Sequence, residues 1–315
     1  MTLESIPVID INRLSDPETH AAIDLACRDW GFFQVTNHGV SAGLISDLQR
    51  AMQAFFALPK AQKDAVLRTR DNPWGYYDNE LTKNVRDWKE VFDYGPGDGK
   101  KLVPQFPEEL PDFREAIITY TNACESLAFQ LLAVISSNLG MPDDFLAGSF
   151  DTTHTSFLRL NFYPICPEPA RPDGLAPPEG GHLGISHHTD AGALTLLLQD
   201  DQPGLEVYRD GDWHLVEPRE DALVINIGDI VQVWSNDRYQ AALHRVVTNT
   251  ENARYSAPYF FNPRYDANYA PLPAMIDADH PARYRPINWG EFRALRADGD
   301  YGDYGEEVQI SHYKT

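Results

Sequence analysis

His188 and Asp190 stand two residues apart, and His244 lies further along the chain in another segment of strand-like pattern. On a β-strand, side chains i and i+2 project from the same face. One imidazole and one carboxylate therefore reach a common point inside a β core, and a second imidazole completes the set. Two histidines and a carboxylate occupy one face of an octahedron, leave up to three positions open and suit Fe(II) and O2 chemistry. The same donors also ligate zinc in hydrolases, and an isolated HxD is a weak signal that a solvated His–Asp pair explains in most chains. Arg254 and Ser256 repeat the i, i+2 spacing. A planar guanidinium binds a carboxylate through two parallel hydrogen bonds, and the hydroxyl adds a donor. Asn161 and Tyr163 form a third such pair, an amide and a phenol able to orient a carboxylate ligand. Three polar pairs in a region rich in Leu and Val are costly to bury unless they have partners.

These residues need strands to hold them. From Thr155 onward short alternating segments are separated by turn residues, and candidate strands run over 155–163, 183–190, 193–199, 204–208, 212–216, 222–227, 230–234, 243–248 and 255–261. Asp210-Gly211 and Gly228-Asp229 mark turns. Eight or nine short strands point to a sandwich or jelly roll. Before them, Ser15 with Glu18 reads as a capping box for a first helix closed by Gly31. Ser41 caps a second helix, and Pro111 opens a long one to Asn138, with Phe113, Ile117, Tyr120, Cys124, Leu127 and Leu131 on one stripe. Residues 68–107 are irregular and aromatic, the kind of segment that either covers a site or packs on a core. The Pro/Gly-rich loop 164–182 immediately precedes the metal strand and is placed to shape a cavity mouth. A final helix is expected near Trp289–Ala297.

Composition bounds the partners. The 315 residues are 43% hydrophobic and 23% charged, ordinary globular values. The formal net charge of −21 argues against nucleic acid or an anionic membrane as partner. No apolar run approaches the ~20 residues that span a bilayer. Cys27, Cys124 and Cys166 are widely spaced and odd in number, which suits a reducing, cytoplasmic setting without disulfides. Cys124 sits in the core stripe of the long helix. The protein is expected to act on a small molecule as a monomer or weak homo-oligomer.

HxD…H followed by RxS, with Asn161-Phe162-Tyr163-Pro164 upstream, resembles the 2-oxoglutarate/Fe(II)-dependent oxygenases, in particular their isopenicillin N synthase-like branch. The likeness extends through Ile6-Pro7-Val8-Ile9-Asp10, Trp30 to Val35, Asn37-His38-Gly39, Phe55 to Pro59, Leu194 to Asp200, Asn226-Ile227-Gly228-Asp229 and Trp234-Ser235-Asn236. It implies a fold that is mainly β with α, a double-stranded β-helix (jelly-roll) core flanked by N-terminal helices. Residues 1–150 would be the N-terminal region and 151–315 the core with its tail. It implies that His188, Asp190 and His244 bind iron. Arg254 and Ser256 would hold the distal carboxylate of 2-oxoglutarate, and Tyr163 and Asn161 would help position that cosubstrate. The reaction implied is oxidation by O2, most simply hydroxylation, with desaturation or cyclisation open, releasing succinate and CO2 and supported by ascorbate in vitro. A related oxidase without 2-oxoglutarate would instead bind its substrate's own carboxylate at Arg254 and Ser256. A zinc hydrolase and a non-catalytic jelly-roll binding module are the readings from other classes. Tyr76, Tyr77, Phe92, Phe157, Phe260 and Phe261 are candidate substrate contacts, being aromatic and in or beside cavity-facing stretches. His187 should face away from the metal, His38 sits in the Asn-His-Gly turn as a fold motif rather than a ligand, and His154, His182 and His214 have no partners at metal spacing. The stretch Arg171–Gly181 is longer than the family motifs lead one to expect, which leaves the entrance, and with it the substrate, open.

Overall fold

Proline and glycine set the limits of the N-terminal elements in the computed structural model, which describes residues 5–82, 85–98, 100–176, 178, 180–298 and 308–315. Strand β1 (Val8–Asp10) leads to helix α1 (Pro17–Asp29). Its first residue is proline, at a position where the missing N–H would have had no helical partner. The cap is Asp16 rather than Ser15, and it makes no side-chain cap bond. Gly31, at φ 64°, turns the chain into β2 (Phe32–Thr36). Ser41 does cap α2 (Ala42–Phe56), its Oγ accepting from the Leu44 N–H at 3.3 Å. The short α3 (Lys60–Asp64) precedes four short strands: β3 (Gly75–Tyr77), β4 (Leu81–Thr82), β5 (Val85–Arg86) and β6 (Glu90–Tyr94). Helix α4 (Phe113–Asn138) buries the predicted stripe, including Cys124, and ends before Gly140 at φ 75°.

The second half supplies β7 (Phe157–Tyr163), β8 (Leu183–His188), β9 (Leu194–Gln199), β10 (Leu205–Arg209), β11 (Asp212–Leu215) and β12 (Ala222–Ile227). Then come α5 (Asp229–Trp234), β13 (His244–Val247), β14 (Arg254–Phe261), β15 (Asn268–Tyr269), β16 (Ile287–Asn288) and α6 (Trp289–Asp298). Asp210 and Gly211 take φ of 53° and 97°, the left-handed pair a two-residue hairpin turn demands, and they join β10 to β11. The expected strand over 230–234 is the helix α5. Ile230, Val231, Val233 and Trp234 are all buried, and one polar residue, Gln232, in so short an apolar run does not separate strand from helix.

The larger sheet runs β1-β2-β12-β9-β14-β7-β6-β3, and the smaller runs β11-β10-β13-β8. The larger one interleaves strands from both halves of the chain. The two are open layers with no closed barrel. Helix α4 packs on the outer face of the larger sheet against β7, β9 and β14. Side chains of both sheets line one cavity between the layers, and a second apolar cluster that includes Trp30, Phe32, Leu197, Leu205, Val207 and Val246 contributes Phe32, Leu197, Leu205 and Val246 to that lining. Strand parity sorts the side chains. Arg254, Ser256, Pro258 and Phe260 of β14 look into the cavity, while Ala257, Tyr259 and Phe261 belong to the core on the α4 side.

Candidate active site

Three donor atoms converge at the end of β8. His188 is the last residue of that strand, His244 is the first of the neighbouring β13, and the two are register partners. Asp190 lies just past the strand end. The Nε2 atoms of His188 and His244 are each 3.6 Å from Asp190 Oδ1, and the ligand atoms of all three residues lie within 4.8 Å of one another. The opposite edge of each imidazole is tied to backbone: His188 Nδ1 meets the Ser186 carbonyl at 2.9 Å and His244 Nδ1 the Ala242 carbonyl at 3.1 Å. An Nδ1–H donated to a carbonyl leaves the Nε2 lone pair for a metal. Although 21% of the His188 side chain is accessible from the cavity, burial among cavity walls and then His244 push its pKa down to about 3. It is therefore the neutral, ligating form near pH 7.

Asp190 divides its oxygens between two tasks. Oδ2 accepts from Thr195 Oγ1 at 2.5 Å and from Asn226 Nδ2 at 2.8 Å, which leaves Oδ1 to face the histidines. Burial opposes its ionisation, but the imidazoles and these two donors outweigh it and hold the pKa below the ordinary value. Thr195 and Asn226 were legible only as members of family-like motifs, without a role. From behind, the Asp229 N–H donates to the Asp190 carbonyl at 2.8 Å. A Cβ on Gly228 would stand 2.2 Å from the Gly192 carbonyl oxygen and 2.8 Å from that of Asp190, so only glycine permits this approach. Arg296 of α6 donates to the Thr189 carbonyl at 3.0 Å, pinning the turn between two of the donors.

Across the cavity, β14 and β7 place Arg254 opposite Tyr163 and Ser256 opposite Asn161. Arg254 is 2% exposed, and its guanidinium lies 5.2 Å from the Tyr163 ring centre. Its Nε donates to the Gln202 carbonyl at 3.2 Å and its Nη2 to Gln199 Oε1 at 3.0 Å. Both partners are neutral. Nη1 is buried with no partner, as is Asn161 Oδ1, while Asn161 Nδ2 donates to Ser256 Oγ at 3.3 Å. A buried cation among neutral acceptors is costly without an anion, and the residues present fit a dicarboxylate that reaches from the metal site to Arg254.

The substrate side has an apolar and a charged wall around a cavity of about 290 Å³. Trp74, Phe157 and Phe260 form the apolar wall, the last two stacked at 4.8 Å. The other aromatic candidates are corrections to the sequence reading. Tyr76, Phe92 and Phe261 are fully buried in the main core, Tyr76 donating to Glu90 and Phe92 packing on Phe55 and Phe113. Tyr77 lies outside the lining, with Arg68 over its ring. The described part of loop 164–182 also stays away from the lining. It is anchored on the smaller sheet, where the Pro172 and Gly174 carbonyls accept from Arg245 and Trp213; residues 177 and 179 lie outside the described set. The histidines set aside stay apart from the metal donors. His38 accepts from the Val40 N–H in its turn, His154 pairs with Glu125, and His182, His187 and His214 lie beside Trp88, Trp213 and Trp30.

The charged wall went unnoticed in the sequence. Arg159 grips Asp93 through Nε and Nη2 at 2.7 and 2.9 Å and reaches Glu80 at 2.8 Å. Arg68 bonds the same two carboxylates at 2.7 and 2.9 Å. Lys89 bridges Glu80 and Asp87 at 2.8 and 2.9 Å. Burial opposes ionisation of Glu80, yet Arg159, Lys89 and Arg68 together hold it well below the usual carboxylate range. Parity alone would have put Arg159 on the cavity face with Phe157, Asn161 and Tyr163. Its partners lie on distant strands and carry no local signal. Glu80→Ala leaves three buried cations short of an anion, so urea unfolding should register a loss of about 3–5 kcal/mol. A loss under about 1 kcal/mol, the range of surface pairs, would remove the lattice as a stabilising element.

Comparison with known proteins gives the family. Residues 154–263 match the model of the 2OG-Fe(II) oxygenase superfamily, and residues 6–112 match that of the non-haem dioxygenase in morphine synthesis N-terminal region. The chain is 34% identical to jasmonate-induced oxygenase 2 of Arabidopsis thaliana, over 98% of this chain and 84% of the relative. It is 35% identical to flavanone 3-dioxygenase 2 of Oryza sativa subsp. japonica, over 91% and 82%. Among solved structures, JOX2 in complex with 2OG, Fe and JA superposes with a TM-score of 0.84 at 32% identity, covering 99% of this chain and 89% of that one. A full-length Neurospora crassa protein in complex with alpha-KG and thymine gives 0.81 at 26%, covering 94% and 97%. With His188, Asp190 and His244 forming the metal-binding triad, the chain belongs to the 2OG-Fe(II) oxygenase superfamily and is a 2-oxoglutarate-dependent dioxygenase.

Proposed function

We propose that the enzyme hydroxylates a small organic molecule, with 2-oxoglutarate held by Arg254 and Ser256. The carrying observation is the unpartnered Arg254 Nη1, buried in the wall of the cavity that Asn161, with its equally unpartnered Oδ1, also lines. The guanidinium and the Ser256 hydroxyl take the distal carboxylate, Tyr163 flanks it, and Asn161 sets the Ser256 hydroxyl. Iron bound by His188, Asp190 and His244 supplies O2 activation, so that one oxygen atom enters succinate as CO2 leaves and the other enters the substrate. The protein's own work is placement. Trp74, Phe157 and Phe260 seat the apolar body of the substrate, and Phe32, Leu197, Leu205 and Val246 add apolar lining that disfavours bulk water in the cavity. Relatives named for flavanone and gibberellin oxidation, and structures with JA or thymine, support a small organic substrate. The net charge of −21 and three free, buried cysteines support a cytoplasmic enzyme, monomeric or weakly oligomeric, without a nucleic-acid partner. Residues 1–150 and 151–315 work as one unit through the shared sheet.

The test is succinate formation across a metabolite panel with Fe(II), ascorbate and 2-oxoglutarate. The expected result is substrate-dependent succinate in a 1:1 ratio with a product carrying one atom from 18O2. Product formed without consumption of 2-oxoglutarate would replace this reading with an oxidase that clamps its own substrate at Arg254.

A further inference from the structure

Strand β8, which ends in the metal ligand His188, lies at the edge of the smaller sheet, and its pairing with β13 is interrupted by shifts of register. An edge strand has backbone groups without strand partners, and here the metal ligand depends on one of them. The Asp-Trp-Lys stretch just before β6 meets that edge. Asp87 Oδ1 accepts from the Ser186 N–H at 3.3 Å, and the Trp88 N–H donates to the Leu183 carbonyl at 2.9 Å. Trp88 is itself fixed, its indole donating to the Pro164 carbonyl at 3.1 Å. Asp87 is 3% exposed, and its second oxygen takes Thr82 Oγ1 at 2.8 Å and Lys89 Nζ at 2.9 Å. The carbonyl of the same Ser186 accepts from His188 Nδ1.

We propose that Asp87 is a positioning residue for iron binding: by holding the backbone of Ser186 through its N–H at the open edge of β8 it sets the Ser186 carbonyl that aims the His188 imidazole at the metal. Asp87 touches neither metal nor substrate. Its carboxylate supplies the acceptor that a further strand would have supplied, and Lys89 and Thr82 fix that carboxylate in place. Because Lys89 also bonds Glu80 of the cavity wall, the wall that faces the substrate and the strand that aims His188 are parts of one hydrogen-bonded framework. The inference rests on His188, Asp190 and His244 being the metal donors and is independent of what the substrate is.

The test separates acceptor geometry from charge. Asp87→Asn/Lys89→Met and Asp87→Leu/Lys89→Met both remove the ion pair and have side chains of similar size. Only the first retains an oxygen for the Ser186 N–H, with the amide nitrogen turned toward Thr82. Mn(II) affinity of the full chain is measured by titration calorimetry with saturating 2-oxoglutarate, alongside melting temperature and circular dichroism. The asparagine variant should bind Mn(II) within about threefold of the wild type and the leucine variant about tenfold more weakly, the range seen when groups behind a metal ligand are removed. Equal affinity in the two overturns the proposal. Should the leucine variant not fold, Asp87→Ala/Lys89→Met makes the same comparison. His188→Ala serves as the reference for the site itself. If wild-type chain shows no Mn(II) site that this change removes, the donor assignment fails and the positioning role fails with it, a result distinct from equal affinity in the paired variants.

Discussion

His188→Ala should reduce succinate formation to background and weaken Mn(II) binding by more than the 10- to 100-fold that groups behind a ligand typically contribute. Two of the three donors would remain, and Asp190 Oδ1 would face one imidazole instead of two. The fold should survive. His188 terminates an edge strand, 21% of its side chain is accessible, and its described hydrogen bond goes to a carbonyl two residues away. The melting temperature of the metal-free variant should therefore stay close to that of metal-free wild type. Turnover retained at wild-type rate would falsify the assignment of His188 as a donor.

Arg254→Met should act in two opposite senses. Affinity for 2-oxoglutarate should fall by about 30- to 4,000-fold, corresponding to the 2–5 kcal/mol lost when one partner of a buried, hydrogen-bonded charge pair is removed. Stability without cosubstrate should hold or rise, because the arginine is a buried cation bonded to a carbonyl and an amide oxygen, and replacing a buried charge by a well-packed apolar side chain is often neutral or stabilising. Arg254→Lys should not restore binding, since an ammonium lacks the planar fork that pairs with both carboxylate oxygens. Calorimetry for affinity and thermal melts with and without 2-oxoglutarate read the two effects separately. Unchanged affinity in the methionine variant sinks the clamp, and the substrate's own carboxylate becomes the anion to look for.

Period-two alternation made much of this site readable in advance. Arg254 with Ser256 and Asn161 with Tyr163 could each be assigned to one face before any strand was placed, whereas Asp190, expected on the strand of His188, lies past its end and joins the donors through the turn. The aromatic candidates failed where that rule was not applied. Phe260 and Phe261 are neighbours on β14, and only one of two neighbours can face the cavity. Likewise Phe157 shares its parity with Asn161 and Tyr163, whereas Phe92 on β6 has the opposite parity to the cavity-facing Asp93. Helix α5 eluded the pattern because six residues with two polar positions, Asp229 and Gln232, are too few to show a period. The charged lattice and the Asp87 contact to β8 were invisible for another reason. Asp87 and Ser186 are 99 residues apart, and no local propensity encodes which distant carboxylate will meet a free strand edge.

Both metal-facing imidazoles are aimed by one device, a hydrogen bond from Nδ1 to the carbonyl two residues earlier, Ser186 for His188 and Ala242 for His244. The side-chain entropy of the donors is therefore surrendered when the chain folds, and an arriving ion has only to shed water. In this respect the centre is the opposite of a zinc finger, where the ion and the fold appear together. With the imidazoles held by hydrogen bonds of the fold itself, removing iron with a chelator is expected to stop turnover while circular dichroism of the chain stays unchanged.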